Sequence, residues 1–179
     1  GIEAMNEGDY KKAESAFTNE IKDNADNGYA YLWLGMIQYG NDEYGKALSS
    51  IDNALKYIHK KDKTNRSCCY YKRAGIYRAL DKDDLALADF STALSLNPKD
   101  DNILWERAQI YYEQEKYDLA DADYIAMQKL DPNAPLSFMG LGRNEVKRGN
   151  FQKALIYILH FLIRFRYSFS ALQKLCLYL

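Results

Sequence analysis

The chain has 179 residues, 47% apolar and 27% charged, the composition of a globular protein about one domain long, which excludes disorder and collagen. Lys plus Arg (24) against Asp plus Glu (25) leaves a formal charge of −1, so no general positive field exists to hold a phosphate polymer, and nucleic acid is not an expected partner. Ten Gly and three Pro beside 16 Tyr are too few turn signals for a barrel or sandwich of short strands, so a mostly helical protein is expected.

The chain opens Gly1-Ile2-Glu3 with no basic-then-apolar leader, so a signal peptide is expected to have been removed or never present. That leaves the compartment open between the cytoplasm and an exported location. Residues 8–21 carry Ala13 and Phe17 on one helical face, and Ala47 and Ile51 repeat them 34 residues later. The interval from Ala47 to Ala86, and from Gly35 to Ala74, is 39. A five-residue insertion between Ala54 and Ala74 accounts for the difference, and the polar run 59–66 is the expected place for it, as a longer helix end and loop. The period of 34 then holds through Ala86, Ala120 and Ala154, through Phe90, Tyr124 and Ile158, and through Ala74, Ala108 and Gly142. It also holds for Asp81, Glu115 and Gly149, and for Pro98 and Pro132.

Inside each period apolar residues recur at three and four, as in Ile103, Leu104, Ala108, Tyr111 and then Tyr117, Ala120, Tyr124, Met127, Leu130, which predicts two amphipathic helices. Breaks fall at 40–42, 81–83, 114–116 and 149–150, and Asn97-Pro98 and Asp131-Pro132 stop the second helices. Asp83, Asp84, Asp100, Asp101 and Asp118 read as helix-start charges, each worth about 0.3–1 kcal/mol against the helix dipole, rather than as metal ligands.

From residue 150 onward no acid occurs, and Lys153, Arg164, Arg166 and Lys174 give +4 against −5 for residues 1–149. The stretch 157–163 is apolar nearly all round, which predicts a helix pair that buries against a neighbouring subunit or domain; a membrane-surface helix is the lesser alternative. The apolar run 155–163 is far shorter than the ~20 residues that cross a bilayer.

The residues offer little catalytic chemistry. His59 and His160 stand 101 apart in no ligand or nucleophile–base pattern, Cys68, Cys69 and Cys176 form no C-x-x-C, and no phosphate-binding glycine loop is present. No catalytic residue, metal or cofactor is expected, and Cys68 and Cys69 read as small residues at the edge of a buried helical face.

The set Leu104, Arg107-Ala108, Tyr111, Ala120, Tyr124, Pro132, with Tyr70, Ala74, Tyr77, Ala86, Phe90, Ala93, Pro98, resembles the tetratricopeptide repeat family. The resemblance implies an all-α, right-handed α-solenoid of stacked antiparallel helix pairs. Its expected extent is a single array over residues 1–179, with a partial repeat at 1–27, repeats at 28–61, 67–100, 101–134 and 135–168, and a partial helix at 169–179, as in a piece of a longer array. In the family the inward side chains of the first helices bind a partner. Carried over, these are Tyr29, Leu32, Trp33, Met36 and Tyr39, then Tyr71, Lys72, Gly75 and Arg78, then Trp105, Glu106, Gln109 and Tyr112, then Met139, Arg143 and Lys147. The family version that grips chaperone tails needs Lys and Asn where this chain has Leu32, Trp33, Met36, Tyr71, Gly75 and Glu106, so that ligand is not expected. A non-catalytic scaffold for a protein or peptide is implied. The alternative is an oligomerisation or structural segment of a larger enzyme or receptor, self-associating through residues 155–179.

Overall fold

The computed structural model of the protein describes residues 1–164, and in them the chain is all helix and turn. The helices are α1 (Ile2–Asn6), α2 (Tyr10–Asp23), α3 (Gly28–Gly40), α4 (Tyr44–Tyr57), α5 (Lys63–Ala79), α6 (Asp83–Leu96), α7 (Asp101–Glu113), α8 (Tyr117–Leu130), α9 (Pro135–Lys147) and α10 (Phe151–Arg164). They fall into two compact units: α1–α6, ending at Pro98, and α7 onward, beginning at Lys99. Within each unit consecutive helices pack as hairpins, and each hairpin packs on the next, the arrangement of the α-solenoid class.

One turn geometry makes every hairpin. Gly8, Asp42, Asp81, Glu115 and Gly149 all have positive φ, from 56° to 78°. The residue after each donates its N–H five residues back: Asp9 to Ala4, Glu43 to Gln38, Lys82 to Tyr77, Lys116 to Tyr111 and Asn150 to Glu145, all at 2.8–2.9 Å. This left-handed stop satisfies the last helical carbonyls and reverses the chain. Three first helices, α3, α5 and α7, start on side-chain caps: Asn27 accepts from Ala30 N–H at 3.1 Å, Asp62 from Asn65 at 3.1 Å and Asp100 from Ile103 at 3.4 Å, while α9 starts on Pro135.

The alanine column of the second helices, Ala13, Ala47, Ala86, Ala120 and Ala154, is 0–2% exposed throughout, so the period of 34 marks where two helices must touch closely. In the first unit Ala4, Phe17, Leu34 and Ile37 form one core, and Leu32, Ile51, Ile58, Cys69 and Ile76 the next. In the second, Tyr124, Met127, Phe138 and Leu141 are sealed. A side-chain carbon added at Gly140 would run into the Tyr124 ring, so this helical glycine is there for contact.

The insertion falls in the expected run 59–66, most of it as a longer first end of α5. α4 stops at Tyr57, and α5 starts four residues ahead of the repeat frame, at Lys63, giving it 17 residues where α7 and α9 have 13. The extra turn carries Arg66, whose Nη1 donates to the carbonyls of Leu55 (2.6 Å) and Ile58 (3.1 Å), so the added residues cap the helix before them.

Candidate partner-binding site

In the first unit the expected inward residues lie on α3 and α5. Leu32 departs from the expectation: at 5% exposure it belongs to the core with Ile51 and Cys69 and is closed to a partner. Trp33 is half-buried and stacks on Phe17 with ring centres 6.3 Å apart. Met36 and Tyr39 flank the second core, with the Tyr39 ring 6.0 Å from Tyr44. Tyr29 is half exposed, and its hydroxyl donates to Asp62 Oδ2 at 2.8 Å. That bond raises the Tyr29 pKa above its ordinary value, and Asn65 followed by Tyr29 lowers that of Asp62. On α5, Tyr71 packs 5.9 Å from Phe90, Lys72 Nζ sits 5.3 Å from the Tyr71 ring, and Arg78 is half-buried. Gly75 leaves room facing the Tyr39 hydroxyl, which a side-chain carbon there would meet at 3.6 Å. An open cleft of about 370 Å³ is lined by Met5, Tyr10, Met36, Ile37, Gly40 and Asn41.

The second unit gathers its expected residues more tightly. Trp105 packs 5.8 Å from the buried Tyr124 ring. Gln109 Nε2 donates to the Tyr124 hydroxyl at 2.9 Å, and Arg143 Nη2 donates to Gln109 Oε1 at 2.6 Å and to the same hydroxyl at 3.2 Å. The Arg143 guanidinium lies 3.7 Å from the centre of the Tyr112 ring. Three residues from α7 and α9, Trp105, Gln109 and Arg143, thus converge on one phenol, with Glu106 and Met139 half-buried and Lys147 exposed on the same helices. Burial raises the Tyr124 pKa, against the opposing pull of Arg143 and Gln109, so the phenol stays neutral and accepts both bonds.

Burial pushes the Cys69 thiol up to about 12, which removes the reactive thiolate. His59 Nδ1 accepts the N–H of Lys61 at 3.1 Å, and His160 stacks on Phe138 at 5.6 Å. Among the described residues no group of three or more His, Cys, Asp or Glu is placed to hold a metal ion. Likewise, no described helix is long and apolar enough to cross a membrane.

Sequence reasoning missed a repeated ion pair. Arg73 Nε and Nη2 donate to the Asp89 carboxylate at 2.7 and 2.9 Å, and 34 residues on Arg107 does the same to Asp123 at 2.9 and 2.6 Å. The signal was present, an Arg and an Asp 16 residues apart recurring at the period, but charged residues at a packed position are outweighed in a search for apolar columns.

Hairpins with a sealed alanine column and a half-exposed inner row define a helical-repeat protein, an architecture that generally serves as a protein-interaction scaffold. The model of the tetratricopeptide repeat family matches residues 1–62, 71–135 and 106–168, and the chain belongs to that family. Among solved structures it is similar to MamA (18% identity, 90% of this chain and 92% of that one, TM-score 0.80). It is similar also to YrrB, a tetratricopeptide repeat protein with an unusual peptide-binding site (18%, 96% and 86%, TM-score 0.77). A third is a tetratricopeptide repeat protein from Parabacteroides merdae (22%, 90% and 62%, TM-score 0.78). At these identities the likeness shows the fold. A search of curated proteins gave no match.

Proposed function

We propose that the chain is a non-catalytic scaffold that binds an extended or helical segment of a partner protein along the inward side chains of its first helices. The cluster on α7 and α9 carries this reading. Trp105, Gln109, Tyr112 and Arg143 stay only partly buried, while Leu104, Ala108 and Leu141 beside them are sealed in the core. Rigid rings and an arginine held side by side are what most often anchor a partner. The peptide-binding site of YrrB supports the same use of the fold here. In the first unit Trp33, Met36, Tyr39, Tyr71 and Lys72 would offer a contact surface of the same kind. The test is capture of partners with wild type beside Trp105→Ala and Tyr71→Ala, with helicity followed by circular dichroism. Each variant is expected to weaken binding by about 1 kcal/mol or more at unchanged helicity. Wild-type affinity in both would remove the groove assignment.

A second reading makes the chain a self-associating segment of a larger protein. It is favoured by α10, where Phe151, Leu155, Ile156 and Leu159 are 45–69% exposed. The remainder of the region expected to self-associate, 165–179, lies outside the described residues.

A further inference from the structure

Among the described residues, Arg143 stands apart from Arg107 and Arg148, the arginines nearest it in its unit. Arg107 is paired with Asp123, and Arg148 with Asp118, Asp121 and Glu145, at 2.6–3.2 Å. Arg143 instead spends Nη2 on two neutral acceptors, Gln109 and Tyr124, and lies flat on Tyr112. Its Nε is buried with no hydrogen-bond partner, and no acceptor among the described residues takes the protons of Nη1. A guanidinium partly withdrawn from water, fixed in orientation and lacking a counter-charge is short of one anion. Stacking on Tyr112 and the two bonds from Nη2 lock the fork before any ligand arrives, which lowers the ordering cost of binding.

We infer that Arg143 reads a side-chain carboxylate, an Asp or Glu, in the bound partner segment; this rests on the groove reading above and names the chemistry it selects. The surroundings fix what accompanies the acid. Met139 lies one helical turn before Arg143, and Trp105 one turn before Gln109, both half-buried apolar surfaces. A turn rises about 5.4 Å, and alternate side chains of an extended strand fall about 6.7 Å apart on one side. An acid and a large apolar residue two positions apart therefore match Arg143 and its neighbours. Lys147, one turn beyond Arg143, adds a second positive charge.

The test is selection of binders from a random twelve-residue peptide library displayed with both ends blocked, followed by titration of selected peptides against the same peptides with Asp→Asn or Glu→Gln. Wild type is expected to enrich an acid two positions from a large apolar residue, and the amide peptides to bind about ten- to a hundredfold more weakly. That comparison uses wild-type protein alone, so it stands even if substitution of Arg143 disturbs the fold. Arg143→Met, checked by circular dichroism, is expected to bind acid and amide peptides equally. If acid and amide bind wild type equally while Trp105→Ala weakens both, the carboxylate inference fails and the groove stands. Affinity for the selected peptides that is undiminished in Trp105→Ala and in Tyr112→Ala overturns the groove and the inference together, as does a selection that yields no binder from this library or from one with a free C-terminus. Enrichment only when the library carries a free C-terminus overturns the side-chain assignment.

Discussion

Glu115 holds φ at 59°, a left-handed conformation that costs an L side chain about 1–2 kcal/mol, and only part of that returns as lower entropy in the unfolded chain. The backbone bonds around it, Glu115 N–H to Tyr112 and Lys116 N–H to Tyr111, need the conformation but not the side chain. Glu115→Gly is therefore expected to stabilise the protein by about 0.5–1 kcal/mol, read as a higher urea midpoint at constant slope. No gain would mean that the Glu115 side chain holds the turn. The column Asp81, Glu115, Gly149 was legible as a period, but its cause was not, because Asp and Glu do not announce a left-handed turn as glycine does. The Tyr124 hydroxyl was hidden in the same way: a tyrosine in an aromatic column reads as core, and only the approach of Gln109 and Arg143 from two other helices gives its oxygen a role.

Among the elements, the α9–α10 hairpin depends on one buried acid. Burial alone would push Glu145 up, but Lys153 at 2.7 Å, Asn150 at 2.8 Å and Arg148 at 3.2 Å outweigh it and hold the carboxyl below its ordinary range. The native state then binds this proton more weakly than the unfolded chain. Its contribution is complete above the unfolded value, about 4.3, and is lost as pH falls through the lower native one. The urea midpoint is expected to drop on acidification below about pH 4.3, and Glu145→Gln to drop less, since its side chain no longer titrates. Equal losses in the two proteins would show that other carboxylates carry the effect. The extra turn of α5 belongs to this scale as well. The interval of 39 located the insertion, but whether five residues become loop or helix depends on whether the new turn finds work, and Arg66 finds it on the carbonyls of Leu55 and Ile58.

Over the whole molecule, the apolar residues left open on α10 bear on the self-associating reading. Side chains such as Phe151 (69% exposed) and Leu155 (56%) gain about 1.5–3 kcal/mol each when fully covered. If a second copy covers them, light scattering gives a dimer, and Leu155→Glu with Leu159→Glu returns it to a monomer; wild type with the mass of one chain ends that reading. The sequence by itself determined the fold class, the hairpin breaks and the repeated alanine contact. Each is set by a local pattern that recurs, and 34 residues is the length of chain one hairpin consumes. Only the tertiary structure decided which inner residues remain open. Leu32 and Trp105 occupy the same place in the repeat, yet Leu32 is sealed beside Ile51 while Trp105 projects past Tyr124. Exposure depends on the size of a side chain relative to the neighbours packed against it, and those neighbours stand on the adjoining helix, beyond the reach of a pattern read along one helix.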